Sequence, residues 1–282
     1  MKRKWKQYLA PSQIGLVVVY LLLALCALTT LLPFVWMLSS SLKLSKDVFA
    51  YPIQWWPQVM HWENYKLIWQ EITLLLYFKN SAVLSVVSTV FCLLTSSFAA
   101  YAFAKIPFKG RETLFLAYVG TIAIPWQVYM IPQYIMMSRL HLIDTHISLI
   151  LMYSFAAFGV FMMRQFYQGI PNDLCESARI DGLNEYGIYA RIMLPLSKPA
   201  LATLTIFTFV MVWNDFMGPL IYINSNENKT IQLGLRLFIS QYSADYNLIM
   251  AASLVSLVPI LVLFVFLQRF FVEGIATSGL KG

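Results

Sequence analysis

Asp215 is the one acid in an otherwise uncharged, apolar stretch, 199–222, of this 282-residue chain. A carboxylate at bilayer depth is costly and is normally found lining a cavity or paired with another group. Asn214 beside it adds polarity, and Gly218 and Pro219 just beyond weaken the helix, as happens where backbone lines a polar pathway. The chemistry open to Asn214 and Asp215 is hydrogen bonding, along such a pathway or to a neighbouring helix; a seat for Asp215 at the water interface is the plainer alternative. Two further acids, Glu176 and Asp181, fall in a polar stretch together with Ser177, Ala178 and Gly182. Nothing near these acids forms a nucleophile elbow or a general acid–base pair, so no residue is read as catalytic. Cys26, Cys92 and Cys175 are too far apart in sequence to suggest a metal knuckle or a redox pair. His141 and His146 miss the i, i+4 spacing of two ligands on one helix face, and with His61 they read as exposed loop residues. No metal and no cofactor is expected. The phosphate-cradling Gly-x-x-x-x-Gly-Lys-Ser/Thr is absent from the sequence, so any ATP chemistry belongs to another polypeptide.

The elements that must position these residues follow from composition. Hydrophobic residues make up 59% of the chain and charged residues 12%, against about 25% charged in soluble domains. That balance points to lipid. The net charge of +7 does not indicate nucleic acid, because the basic residues are scattered through short loops instead of forming a patch. Six stretches are long enough to cross a bilayer: 14–38, 80–104, 113–138, 145–163, 199–222 and 246–267. Helices are expected, since each span must satisfy its backbone internally. The fold class is therefore all-α: a polytopic membrane bundle of six transmembrane helices over 14–275, with an N-terminal segment 1–13 and a tail 276–282. The first run follows Lys2, Arg3, Lys4 and Lys6 but is too long for a signal peptide's apolar region and lacks a cleavage site, so it is read as retained. Pro125, Pro132 and Pro259 lie within spans, where they either kink helices or shape static packing.

With the N-terminus inside, 13 of the 20 Lys and Arg residues fall on the inner side, as the positive-inside rule requires. Both termini are expected in the cytoplasm. The outer loop 39–79 is rich in Trp, including Trp55, Trp56, Trp62 and Trp69, which suits a membrane interface.

The long inner loop, 164–198, contains Glu176, Asp181 and their neighbours. Pro171 and Asp173 suit a helix start, and Gly182 suits a left-handed helix end. A second helical stretch is expected over 183–193, with Pro195 and Pro199 separating it from the fifth span. By residue type alone, two readings stay open: a helical hairpin that docks on a partner, or amphipathic helices lying on the membrane surface.

The spacing in this loop resembles the EAA loop of ABC importer permeases. Glu176-Ser177-Ala178 is followed by three residues, Gly182, nine more residues, and then Ile192-Met193-Leu194-Pro195. Ser177 is the one departure, in place of Ala. Pro33-Phe34-Val35-Trp36, Trp213-Asn214-Asp215-Phe216 and the ending Gly279-Leu280-Lys281-Gly282 are similar to the maltose-permease G subfamily of carbohydrate-uptake importers. The resemblance implies a type I ABC importer fold in a bacterial cell membrane. It implies a homologous second permease subunit, two ABC ATPase subunits at the cytoplasmic face, an extracytoplasmic substrate-binding protein, and a carbohydrate substrate; no nucleic acid is involved. The loop would be a helix-turn-helix coupling loop. In it Glu176 and Asp181 would face or brace the docking surface, Ser177 and Ala178 would allow close approach, and Gly182 would set the angle between the helices. The outer loop 223–245 resembles the one that reaches into the binding protein, a solvated connector being the alternative. An ATP-independent secondary transporter or channel is the competing function; it would need ionisable residues near mid-membrane, where the sequence offers only Asp215.

Overall fold

The computed structural model describes residues 13–239 and 245–279, with side chains over 15–239 and 245–270. The expectations for 1–12 and 280–282 lie outside the described residues. The described chain is built of helices: α1 (Gln13–Ser41), α2 (Asn64–Gln70), α3 (Leu74–Lys105), α4 (Arg111–Gly120), α5 (Trp126–Arg139), α6 (His146–Ser154), α7 (Ala157–Gln168), α8 (Asp173–Ile180), α9 (Glu185–Ile188), α10 (Leu194–Leu196), α11 (Lys198–Asn214), α12 (Met217–Tyr222), α13 (Ile231–Arg236) and α14 (Tyr246–Gly279). Among the described residues four helices are long and apolar enough to cross a membrane, and six spans result if each of two sharply bent pairs counts as one. The chain divides into two compact units. One runs to Glu71 and includes Phe238–Val255; the other comprises Ile72–Leu237 and the residues from Ser256 onward.

In the first unit, α1 is apolar on every side and its surface is exposed from Val17 to Leu32, the pattern of a helix solvated by lipid. Thr29 and Thr30 turn their hydroxyls back onto carbonyls of the preceding turn at 2.9–3.1 Å, which hides two polar groups from hydrocarbon. The buried stretch after α1 is held by side chains. Asn64 donates to the carbonyls of Ser41 and Lys43, each at 2.8 Å, and accepts from Asn247 at 3.1 Å. Lys43 is only 2% exposed. Its ammonium donates to the Gln54 carbonyl and lies 4.3 Å from the Trp36 ring centre, and burial pulls its pKa down.

The second unit is organised around α3, which packs against α6, α7 and α11. The contact face of α3 is small and polar: Ser81, Ser85, Ser88, Ser96 and Ser97 are all buried. On α7, a Cβ added to Gly159 would run into the Ser96 side chain and Leu204. Lipid offers helices no hydrophobic drive to associate, so close backbone approach over small residues takes its place.

The spans depart from an unbroken reading in three places. The third bends by 100° between Ala123 and Trp126. Pro125 supplies no N–H for a continuing helix, and Ile124 before it is held extended at φ −90°, ψ 110°, as the residue before a proline must be. The fourth breaks at Phe155 and Ala156, between α6 and α7, and continues to Gln168. Thr95 of α3 donates to the Ser154 carbonyl at 2.5 Å, which satisfies an acceptor that the end of α6 leaves free. The fifth stops at Asn214 and resumes as α12. The second span starts at Leu74, six residues before the uncharged stretch begins, because Lys79 is carried on the helix itself.

Candidate functional site

The loop 171–198 folds as an elbow of two short helical arms. α8 opens with Asp173 and Glu176 in its first turn, where acids meet the positive end of the helix dipole. It ends in a Schellman motif: Gly182 N–H donates to Arg179 O and Leu183 N–H to Ala178 O, both at 3.0 Å. The motif requires a left-handed residue just past the helix, and Gly182 has φ +85°. Asn184 starts the second arm by accepting from the Gly187 N–H at 2.8 Å, an N-cap. That arm runs through α9 into a wider π turn, Tyr189–Met193, and then α10. Pro195 could not bond the Arg191 carbonyl and its ring would crowd it; the wide turn directly before it relieves that crowding. Pro195 therefore lies inside the helical arm, and the 77° bend into α11 falls at the buried Ser197.

The elbow is tied to the bundle by groups on both arms. Arg179 grips Glu185 with two bonds, 2.7 and 3.3 Å, and so braces one arm against the other. Tyr101 of α3 donates to the same carboxylate at 2.5 Å. The Arg179 bonds and the Tyr101 bond hold the Glu185 carboxyl below its usual pKa, and the same ion pair raises that of Arg179. Lys105, at the end of α3, donates to Ile170 O at 2.6 Å and Asn172 Oδ1 at 2.7 Å. Beside this anchor Arg164 pairs with Glu112 at 2.5 Å and lies 3.8 Å from the Phe115 ring centre.

Glu176, Ser177, Asp181, Gly182 and Pro195 are all exposed on the elbow. Ala178 differs from expectation: it is 4% exposed and packs with Cys175 into the bundle core. The two lie at i and i+3 on one helix face, so the small size of Ala178 serves the elbow's approach to its own bundle. The outward face instead carries Ile180, 86% exposed, and Tyr186, 70% exposed.

Asn214 and Asp215 lie at the other end of α11, whose 17 residues span about 25 Å at 1.5 Å per residue. The Asp215 carboxylate accepts from the Met217 N–H at 3.1 Å and the Gly218 N–H at 3.2 Å, taking up two free donors at the start of α12. The Tyr153 hydroxyl donates to it as well. Asp215 is thus a helix-pairing group and a cap, while Asn214 is exposed beside it. Both border a cavity of about 560 Å³ that is also lined by Trp126, Gln127, Tyr129 and Gln133 from α5.

The loop after α12 is fastened at a third place. Asp144, at φ +62°, accepts from the N–H groups of Asn224 and Ser225, both at 2.9 Å, and from the Ser225 hydroxyl at 3.0 Å. These bonds lower its pKa. Asn80 reaches Glu227 O and Lys229 O at 2.7 and 3.0 Å. The described part of this loop is therefore pinned to the bundle at both ends of its one-turn helix, Asn226–Asn228.

Residues 10–276 match the family model described as binding-protein-dependent transport system inner membrane component. The chain is 37% identical over 229 residues to the arabinooligosaccharides transport system permease protein AraQ of Bacillus subtilis (strain 168), covering 80% of this chain and 81% of that one. It is 30% identical to the lactose transport system permease protein LacG of Rhizobium radiobacter, covering 93% and 95%. Among solved structures, a chain of a bacterial ABC transporter involved in the import of the acidic polysaccharide alginate superposes with a TM-score of 0.81 at 23% identity, covering 92% and 97%. At that identity the likeness speaks for the fold, a type I importer permease. The helical bundle, the elbow at its edge and the match over nearly the whole length together place this chain in the family of binding-protein-dependent transport system inner membrane components.

Proposed function

We propose that the chain is one of two permease subunits of an ATP-driven importer for carbohydrate, and that its elbow carries ATPase motion into the membrane. The second permease lines the other half of the pathway, two ATPase subunits bind at the cytoplasmic face, and a binding protein delivers sugar from outside. Both chain termini lie in the cytoplasm. Names among the relatives, arabinooligosaccharides and lactose, support carbohydrate as the substrate class.

One observation carries the reading. The elbow presents Glu176, Ile180 and Tyr186 outward, yet it is clamped to α3 through Tyr101 and Lys105 and runs into α11. A displacement of the exposed tip is therefore passed to the bundle, and α11 leads from that tip to the cavity at Asp215. Large exposed apolar side chains on a polar loop fit a partner-binding surface better than a solvated one. The ion-relay alternative loses its one candidate, because Asp215 is already engaged by Tyr153 and two backbone N–H groups.

The test is co-purification from the native membrane in mild detergent. The wild-type chain is expected to bring an ATPase subunit with it. The double substitution Ile180→Asp, Tyr186→Asp is expected to release that subunit while the chain stays inserted. Retention of the ATPase by the double variant would contradict the docking role.

A further inference from the structure

We propose that the cavity between α5 and the α11–α12 break is a binding subsite for a neutral sugar ring, so that this subunit itself grips the substrate. The inference rests on the carbohydrate-importer reading and adds a site and a charge class to it. The cavity's volume, about 560 Å³, is within the ordinary range of small-molecule sites, roughly 300–1,000 Å³.

Its walls are of two kinds. Trp126 and Tyr129 from α5 supply aromatic faces, which suit the C–H face of a pyranose ring because they are broad, apolar and rigid. Gln127, Gln133 and Asn214 supply amides, each able to donate and accept, as the hydroxyls on a ring edge require. Two of these groups are already oriented. The Trp126 indole N–H donates to Gln133 Oε1 at 2.9 Å, which fixes the ring and leaves the Gln133 N–H pair for a ligand. Asn214 donates to Val210 O at 3.0 Å and its carbonyl accepts from the Gln232 amide at 3.4 Å, which holds the amide in place and leaves the carbonyl's second lone pair for a ligand.

Among the described residues that line it, Asp215 is the only charged one. Its oxygens are engaged by Tyr153 and the start of α12, so it positions the wall and does not compete for hydroxyls. An anionic sugar would meet this carboxylate with no cation in the lining to offset it, and like charges at short range in a partly desolvated site repel strongly. The site therefore suits uncharged saccharides and rejects uronates and sugar phosphates. The 100° bend at Pro125 is what brings Trp126 and Gln127 to the cavity, which gives the broken third span a role in recognition.

Equilibrium dialysis on the assembled, detergent-solubilised importer tests this, with the binding protein removed and arabinotriose, lactose, maltotriose and an alginate trisaccharide as probes. Saturable binding of at least one neutral probe is expected, weakened by about tenfold or more in Trp126→Ala and in Asn214→Ala, the loss of one oriented contact of roughly 1.4 kcal/mol. Trp126→Phe should restore much of the affinity, and the acidic probe should not bind. Binding of none of the neutral probes, binding indifferent to both substitutions, or preferential binding of the alginate trisaccharide would each overturn the proposal. ATPase co-purification in the same preparation separates the two readings: a complex that keeps its ATPase but binds no neutral sugar refutes the subsite and leaves the importer reading standing.

Discussion

Gly182 and Glu185 set the shape of the elbow by different means. Gly182 has open space where a Cβ would go, so a substitution there acts through the backbone alone. Its φ of +85° is a conformation that Asn tolerates and a β-branched residue resists, at about 1–2 kcal/mol for an ordinary L-residue. Gly182→Val is expected to splay the two arms and abolish transport while the protein stays inserted; Gly182→Asn is expected to keep most activity. Uptake rates measured beside membrane content distinguish the two, and normal uptake in Gly182→Val would mean that the angle between the arms does not matter. Glu185 acts through charge. Its folded pKa lies below the ordinary glutamate value of about 4.5, so the clamp stabilises the elbow fully above that value and loses this contribution as pH falls through the lower, folded pKa. Hydrogen-exchange protection of α8 and α9 should follow that curve, and Glu185→Gln should remove the acid dependence. Ala178 shows what residue type alone leaves open. A small residue allows close packing on either side of a helix, and only the Cys175–Ala178 face, read against the bundle, tells that the side is inward.

Helix α3 depends on its small residues for the approach of α7. Gly159→Ala sets a methyl against Ser96 and Leu204, an overpacking expected to cost about 1–3 kcal/mol. A lower thermal transition in detergent, with transport retained below it, is the outcome that checks this; an unchanged transition would mean that the α3–α7 contact is loose. The long apolar helices were readable in the sequence because hydrocarbon thickness sets both their length and their lack of charge. The breaks were readable only in part. Pro125 signals its bend by a missing N–H, and Gly218 with Pro219 marks a weakened helix near Asn214. The break at Phe155 and Ala156 has no such marker. It is stabilised by Thr95 on another helix, and a tertiary hydrogen bond leaves no trace in the local pattern. The elbow's two arms were visible from Asp173, Gly182 and Pro195, but the clamp was not. Arg179 and Glu185 fall outside the helical i, i+3 and i, i+4 spacings and meet only because the turn at Gly182 folds one arm onto the other. The aromatic and amide wall on α5 was hidden for a similar reason: Trp126 reads as part of an unbroken span until the bend turns it toward Asn214.

Within the second unit, α11 joins the two places where the proposals put coupling and substrate, the elbow and the cavity. α11 starts at the elbow's hinge, Ser197, and ends at Asn214 on the cavity. On the proposed coupling, a rod of that kind would convert movement of an exposed tip into movement of a cavity wall, because a close-packed interior transmits strain. The family match over residues 10–276 gives the rod its context, a permease that works beside other subunits. The most direct measurement is site-directed crosslinking in the assembled complex, with Cys26, Cys92 and Cys175 replaced and a single cysteine placed at Ile180 or at Tyr186. The expected result is a crosslink from each position to an ATPase subunit, with a yield that changes when a non-hydrolysable ATP analogue is added. No crosslink to an ATPase from either position, or cysteines there that react only with reagents applied from outside the cell, would contradict the coupling role of the elbow.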